Sequence, residues 1–377
     1  MLKTMFVFGT RPEAIKLAPV IQGMLERPKS FEAMVCVTAQ HREMLDQALT
    51  FFGLPVHYDL NVMRPNQNLN TVAARILEQL GDVIRDERPD IVCVQGDTVS
   101  TLMGALAAFY SQARVMHVEA GLRSGRKDAP FPEEINRVLT SHITDFHFAP
   151  TEAARAHLAT EGITSNVWVT GNTAIDALHL GLARIGAGGA QDLRSIGPLD
   201  PDRRLVLVTS HRRESFGEPF ARILRAIGRI ASNFPDVQVL FPVHRNPNVQ
   251  RVARRDLSGI SNVVLTDPLD YPTLLQALRA CTIVITDSGG LQEEAPALGK
   301  PVLVLRDVTE RMEGVRAGTA KLVGTDDVKI VAAAETLLTD ARAYSQMAQA
   351  VNPYGDGRAT ERIIAALLAM LGELPSS

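Results

Sequence analysis

The sequence predicts an α/β protein with two Rossmann-like domains facing across a cleft. Three observations carry this expectation. Short β-rich runs alternate with longer helical patterns through nearly all of the 377 residues. The β-rich runs are continuously apolar rather than alternating, the mark of parallel strands buried on both faces. A stretch rich in Gly, Ala and Pro, from Gly181 to Asp202, interrupts the alternation near the middle, as a linker would.

In the first half the spacing predicts strands at 5–8, 34–38, 91–95, 115–118, 146–149 and 167–169. Helical patterns fill the gaps, including 13–25, 42–52, 69–88 and 151–160. In the second half, strands are expected at 205–209, 237–241, 263–266, 283–286 and 302–305, with helices at 219–233, 271–280 and 291–298. A break at Asn352-Pro353-Tyr354-Gly355-Asp356-Gly357 precedes one more amphipathic helix, 361–371, read as crossing back onto the first half. The expected domains are 1-170 plus 358-377, and 171-357.

Composition narrows the function classes. Hydrophobic residues make up 46% and charged residues 21%, an ordinary globular balance that argues against disorder. A formal net charge of -3 gives no electrostatic footprint for nucleic acid. Cys36, Cys93 and Cys281 each sit in an apolar run and form no C-x-x-C pair, so they read as buried thiols in strands. The N-terminus lacks the apolar region of a signal peptide, and no window approaches the roughly 18–20 apolar residues of a membrane span. The expected location is the cytoplasm, with no membrane partner.

The informative polar residues follow the strands, where α/β folds mount chemistry. After the first strand comes Gly9-Thr10-Arg11-Pro12-Glu13-Ala14-Ile15-Lys16. Pro12 suits a first helical turn, and Arg11 and Lys16 bracket that turn, facing either an anion or solvent. The G-x-G-x-x-G pattern of dinucleotide sites is missing. Asp97 and Glu119 end the third and fourth predicted strands, and Glu133 opens a helix at Phe131-Pro132-Glu133-Glu134-Ile135-Asn136-Arg137. A carboxylate after a strand is often a helix N-cap, which Asp97 fits well and Glu119 less well. Two glutamates in a first turn also satisfy a helix dipole without further function.

In the second half, His211 follows a strand as a phosphate donor, a proton carrier or a plain loop histidine. The segment Thr286-Asp287-Ser288-Gly289-Gly290-Leu291-Gln292-Glu293-Glu294 runs from strand to helix. Its small residues open the helix N-terminus to a phosphate, and Glu294 sits where a carboxylate reaches ribose hydroxyls. Arg311 reaches the same phosphates with its guanidinium fork. The site therefore reads as a diphosphate held by Arg11, Lys16, His211, Arg311 and the helix terminus at Ser288, Gly289 and Gly290. The carboxylates of the other half would face a sugar. Metal-ligand spacing, a P-loop and a G-x-S-x-G elbow are missing.

These motifs, together with Gln40-His41-Arg42, Gly96-Asp97-Thr98, His117-Val118-Glu119-Ala120-Gly121-Leu122-Arg123, Pro132-Glu133-Glu134 and His211-Arg212-Arg213-Glu214-Ser215, resemble the non-hydrolysing UDP-N-acetylglucosamine 2-epimerase family over essentially the whole chain. The resemblance implies the glycosyltransferase-B architecture, a homodimer, and interconversion of UDP-N-acetylglucosamine and UDP-N-acetylmannosamine for bacterial surface polysaccharides. It implies elimination and re-addition of UDP through a 2-acetamidoglucal, with no cofactor and no metal.

Carried over by motif, Asp97, Glu119, Glu133 and His211 are the implied catalytic residues. Arg11, Lys16, Asp97, Glu119, His211, Ser288, Gly289, Gly290, Glu294 and Arg311 are the implied substrate contacts. Some members bind a second, activating substrate molecule, for which the resemblance points to Gln40, Arg212 and His244. Glu43 stands where those members carry glutamine, which weighs against that pocket here. The competing readings are a hydrolysing epimerase that releases UDP, an epimerase of a modified UDP-sugar, and a glycosyltransferase that needs an acceptor.

Overall fold

The computed structural model describes residues 1–39, 42–64, 67–186, 193–212 and 216–373. The chain divides into two compact units, Met1–Leu180 with Gly355–Ser377, and Gly181–Tyr354.

The first unit holds β1 (Leu2–Phe8), β2 (Phe31–Val37), β3 (Tyr58–Asp59), β4 (Ile91–Gln95), β5 (Arg114–Val118), β6 (Phe146–Ala149) and β7 (Val167–Val169). They form one parallel sheet in the order β3-β2-β1-β4-β5-β6-β7. Burial on both faces explains the continuous apolar runs. Met5 and Val7 of β1, with Val92 and Val94 of β4, pack in one core with Ile76, Leu80 and Ile84 of the helix Leu69–Glu87. The alternate residues Phe6 and Phe8 are fully buried as well. Each such side chain contributes about 1.5–3 kcal/mol of transfer free energy.

The second unit holds β8 (Arg204–Thr209), β9 (Val237–Pro242), β10 (Val263–Thr266), β11 (Cys281–Thr286), β12 (Val302–Val304) and β13 (Ala320–Leu322). Its parallel order is β10-β9-β8-β11-β12-β13. This is the doubly wound order 3-2-1-4-5-6, whose direction reverses between β8 and β11. The first sheet reverses likewise between β1 and β4. Ligands of such sheets bind outside the carboxyl ends of the strands at the reversal.

The units are divided differently from the expected domains. Residues 171–180 and 355–357, expected in the second domain, lie in the first unit. Ala174, Ile175, Ala177 and Leu178 of the helix Thr173–Ile185 are buried. Asp176 of that helix also caps the returning helix Ala359–Glu373, accepting from the N–H groups of Ala359 (3.2 Å) and Thr360 (2.8 Å). Arg362 adds a bond to the Thr170 carbonyl at 2.9 Å.

Cys36, Cys93 and Cys281 are free and buried in β2, β4 and β11. Burial pushes the Cys36 and Cys281 thiols up to about 12. Among the described residues, no helix is long and apolar enough to cross a membrane.

Candidate active site

In the first unit, the loops after β1 and β4 are stapled together by one buried carboxylate. Glu13, 2% exposed, accepts from the N–H groups of Gly9 (3.0 Å) and Thr10 (2.8 Å) through Oε2. Its Oε1 accepts from the hydroxyls of Thr98 (2.7 Å) and Thr101 (3.2 Å). Thr10 and Glu13 form a capping box on the helix Arg11–Leu25. The bonds to Thr98 and Thr101 go beyond that local motif. Burial raises the Glu13 carboxyl above its ordinary value against the pull of these donors.

Asp97 is not the N-cap that the sequence suggested. Thr98 caps the helix Val99–Tyr110, accepting from the Thr101 N–H, and the Asp97 carboxylate turns instead to the Arg137 guanidinium. Asn136 Nδ2 donates to the Asp97 carbonyl at 2.9 Å. The imidazole of buried His117 meets the neighbouring Gly96 carbonyl at 2.8 Å. Burial lowers the His117 pKa to about 3, so the ring is neutral. The acceptor carbonyl then places the ring proton on Nε2.

Glu119 ends β5 in a left-handed turn, with φ of 67°. Its Oε2 accepts from Lys16 Nζ and from Asn172 Nδ2, the latter at 3.1 Å. Lys16, expected to face an anion, is therefore paired with Glu119 within this unit. Arg11 opens its helix half-buried. Glu133 opens the helix Glu133–Ile143, and its Oε2 is buried without a hydrogen-bond partner among the described residues. Its neighbour Glu134 accepts from the N–H groups of Ser124 and Gly125, each at 3.0 Å.

In the second unit, the loops after β8 and β11 meet at fully buried Asp287. Its Oδ2 accepts from Ser210 Oγ (3.2 Å) and from the N–H groups of His211 (2.8 Å) and Arg212 (2.9 Å). His211 Nδ1 lies 3.1 Å from Oδ1. Burial pushes the Asp287 carboxyl up, but His211 and the two amides overcome it and hold the group below its ordinary value. Asp287 thus orients His211, whose outer face stacks on His244 at 5.9 Å between ring centres. Burial first, and the His211 charge second, lower the His244 pKa.

The helix Gly289–Ala297 starts at Ser288, whose side chain makes no cap bond. A Cβ on Gly289 would lie 2.7 Å from Arg311 Cζ, so the guanidinium rests directly on this helix start. Arg311 Nε donates to Glu293 Oε1 at 3.0 Å, and Nη1 donates to Glu310. Gln292 ties the same helix to the Arg311 loop by accepting from the Thr309 hydroxyl at 2.8 Å. Tyr354 donates to the Arg311 carbonyl (3.0 Å) and accepts from the Gly314 N–H (3.1 Å). Glu294 lies in the same helix and is 9% exposed. The helix start thus carries a guanidinium that is ion-paired with Glu293 and Glu310.

Glu310 knots the neighbouring cations. It accepts from Arg306 Nη1 at 2.6 Å and lies 3.9 Å from Arg212. Burial opposes its charge, but Arg311 and then Arg306 draw the Glu310 carboxyl down from 4.5 to about 2. A folded-state value below the unfolded one stabilises the fold above pH 4.5, and that contribution is lost as pH falls toward 2. The shift corresponds to on the order of 3 kcal/mol. Glu310→Gln is therefore expected to lose less unfolding free energy than the parent between about pH 5 and pH 3. Urea melts at the two pH values measure this, and equal losses would contradict it.

The sequence left several of these residues unassigned: Glu13, Arg137, Asn172, Asp287, Arg306, Glu310 and Tyr354. The Thr10–Glu13 spacing of a capping box signals the first of them. Of the second-substrate residues, Gln40 lies outside the described residues, Arg212 lies beside Glu310, and His244 stacks on His211. Among the described residues no cluster of His, Cys, Asp and Glu is arranged to hold a metal ion.

Known proteins share this chain almost from end to end. The family model described as UDP-N-acetylglucosamine 2-epimerase matches residues 24–368. The UDP-N-acetylglucosamine 2-epimerase of Yersinia pestis is 51% identical over 372 residues, covering 97% of this chain and 98% of the relative. The crystal structure of the UDP-GlcNAc 2-epimerase from Neisseria meningitidis bound to UDP-GlcNAc is similar with a TM-score of 0.91 and 44% identity, covering 98% of this chain and 100% of that one. The UDP-GlcNAc 2-epimerase of Methanocaldococcus jannaschii, in complex with UDP-GlcNAc and UDP, aligns with a TM-score of 0.81 and 32% identity, covering 98% and 100%. Two parallel sheets of glycosyltransferase-B type and sequence identity over nearly the full length together show that this chain belongs to the UDP-N-acetylglucosamine 2-epimerase family.

Proposed function

We propose that the protein interconverts UDP-N-acetylglucosamine and UDP-N-acetylmannosamine by eliminating and re-adding UDP. The hydrogen on C2 is not acidic in the intact sugar, because C2 carries an amide nitrogen and no carbonyl adjoins it. Breaking the C1–O bond changes this. As UDP departs with the bonding pair, C1 becomes electron-poor and a carboxylate removes the C2 proton, leaving a C1=C2 double bond. In the return step a UDP oxygen attacks C1 and a proton is delivered to the opposite face of C2.

The second unit is read as the UDP holder. The helix start at Ser288, Gly289 and Gly290, with Arg311 and His211, stabilises charge on the departing diphosphate, and Glu294 takes the ribose hydroxyls. The first unit is read as the source of proton-transfer groups, Asp97, Glu119 and Glu133, with Arg11 and Lys16 as further substrate contacts. The observation that carries this reading is the pairing of each strand-end carboxylate with a cation of its own unit, Asp97 with buried Arg137 and Glu119 with partly buried Lys16. Inverting C2 needs proton access to both of its faces, which two fixed carboxylates provide.

Product formed in deuterated water is expected to carry deuterium at C2. NMR of UDP-N-acetylglucosamine incubated with the protein alone measures it. Full retention of the original hydrogen would overturn the two-group proton transfer, and accumulation of free UDP would favour the hydrolysing reaction. A homodimer belongs to the same proposal. Exposed Phe109 and Tyr110 support it, and sedimentation at the mass of one 41.0 kDa chain would contradict it.

A further inference from the structure

We propose that Arg137 is a positioning residue for proton transfer at C2, fixing the orientation of the Asp97 carboxylate. The inference rests on the reading of Asp97 as a proton-transfer group.

The turn that carries Asp97 is held at four points by four side chains. His117 of β5 holds the Gly96 carbonyl, Asn136 holds the Asp97 carbonyl, and Glu13 accepts from the Thr98 hydroxyl. Those three contacts fix the position of the turn. They leave the Asp97 side chain free to rotate about its own two torsions. The fourth contact, from Arg137 Nη2 to Asp97 Oδ2, removes that freedom.

Arg137 is itself built in. Its side chain is 10% exposed, and its other terminal nitrogen donates to Glu134 Oε2 at 3.3 Å. Glu134 in turn is anchored on the N–H groups of Ser124 and Gly125. A planar guanidinium pinned at one end presents its other end in a set direction, which an ammonium does not do. Exposure is asymmetric across the pair: the Asp97 side chain is 27% exposed against 10% for Arg137. Solvent, and hence a substrate, reaches the pair at the carboxylate, while the cation stands behind it. Arg137 also shares its helix with Glu133, so one rigid element offers one candidate carboxylate and orients another.

A plain structural ion pair predicts something different. It would join the Ser124–Gly125 loop to the turn, and its loss would lower activity in proportion to the folded fraction.

The test uses the full chain with Arg137→Gln, Arg137→Lys and Asp97→Asn. For each variant kcat, KM, UDP affinity by calorimetry, thermal unfolding and the isotope effect with UDP-N-acetylglucosamine deuterated at C2 are measured. Arg137→Gln is expected to lower kcat about 100-fold while KM and UDP affinity stay within about threefold. The isotope effect should rise, because hydrogen transfer becomes the slow step. Arg137→Lys, a cation without the fork, should recover about tenfold of the loss.

An isotope effect equal to that of the parent, with kcat tracking the folded fraction, overturns the proposal. A raised KM at unchanged kcat also overturns it and makes Arg137 a binding group. Should Arg137→Gln fail to fold, the same isotope effect in Arg137→Lys decides. Asp97→Asn separates the two levels. If that variant turns over normally, the reading of Asp97 fails. If it is inactive and the Arg137 variants keep the parent isotope effect, only the Arg137 inference fails.

Discussion

Asp97→Asn is expected to lower kcat by about 10²–10⁴-fold, the range for loss of one general acid or base, with UDP affinity nearly unchanged. The substitution is close to isosteric, and the new carbonyl still accepts from Arg137, so the turn should keep its shape. What disappears is the capacity of the side chain to take and return a proton. UDP affinity is the internal control, because Ser288, Gly289, Arg311 and His211 all belong to the other unit. Steady-state kinetics and UDP titration calorimetry together measure the outcome. Weak UDP binding with normal turnover at saturation would make Asp97 a substrate-holding group and remove it from the proton transfer.

Gly121→Ala is expected to destabilise the fold by on the order of 4 kcal/mol, combining a left-handed backbone with an overpacked contact. Gly121 has φ of 88°, and a Cβ there would lie 2.3 Å from the Ala154 carbonyl oxygen. That atom is backbone in the helix Glu152–Thr160 and has no rotamer to yield. Two residues upstream stands Glu119, so the surviving folded fraction should also turn over slowly. Gly125→Ala is the control. Gly125 also has a positive φ, of 72°, but among the described residues no atom beyond its chain neighbours lies within 4 Å of the added carbon, so about 1 kcal/mol is expected. Denaturant melts of both variants compare them, and equal losses would show that the Ala154 contact yields.

The strands were legible in the sequence because parallel strands buried on both faces leave long apolar runs. β3 and β13 were not, since Asp59 in the first and Lys321 in the second break any apolar run. The first domain border was read ten residues early, at the end of β7, because the sequence does not show that Asp176 is already committed to the returning helix. The candidate carboxylates stood out because strand ends are where such folds place chemistry. Their partners did not. Arg137 lies 40 residues from Asp97, and Lys16 lies 103 residues from Glu119. Only tertiary structure brings such pairs together. The same distance hid the switch of the cap from Asp97 to Thr98, which depends on what Asp97 meets instead.

The helix Ala359–Glu373 sets a schedule for the newborn chain. The first unit needs a segment that leaves the ribosome only after all of Gly181–Tyr354 has been made. At roughly 5–20 residues per second, the wait is on the order of ten to thirty seconds. Throughout that interval the carboxylate of Asp176 has no helix to cap, and the apolar patch that will receive Ile363, Ile364 and Leu367 stands open to water. The later unit is one continuous stretch with no such debt, so the half made second is free to finish first.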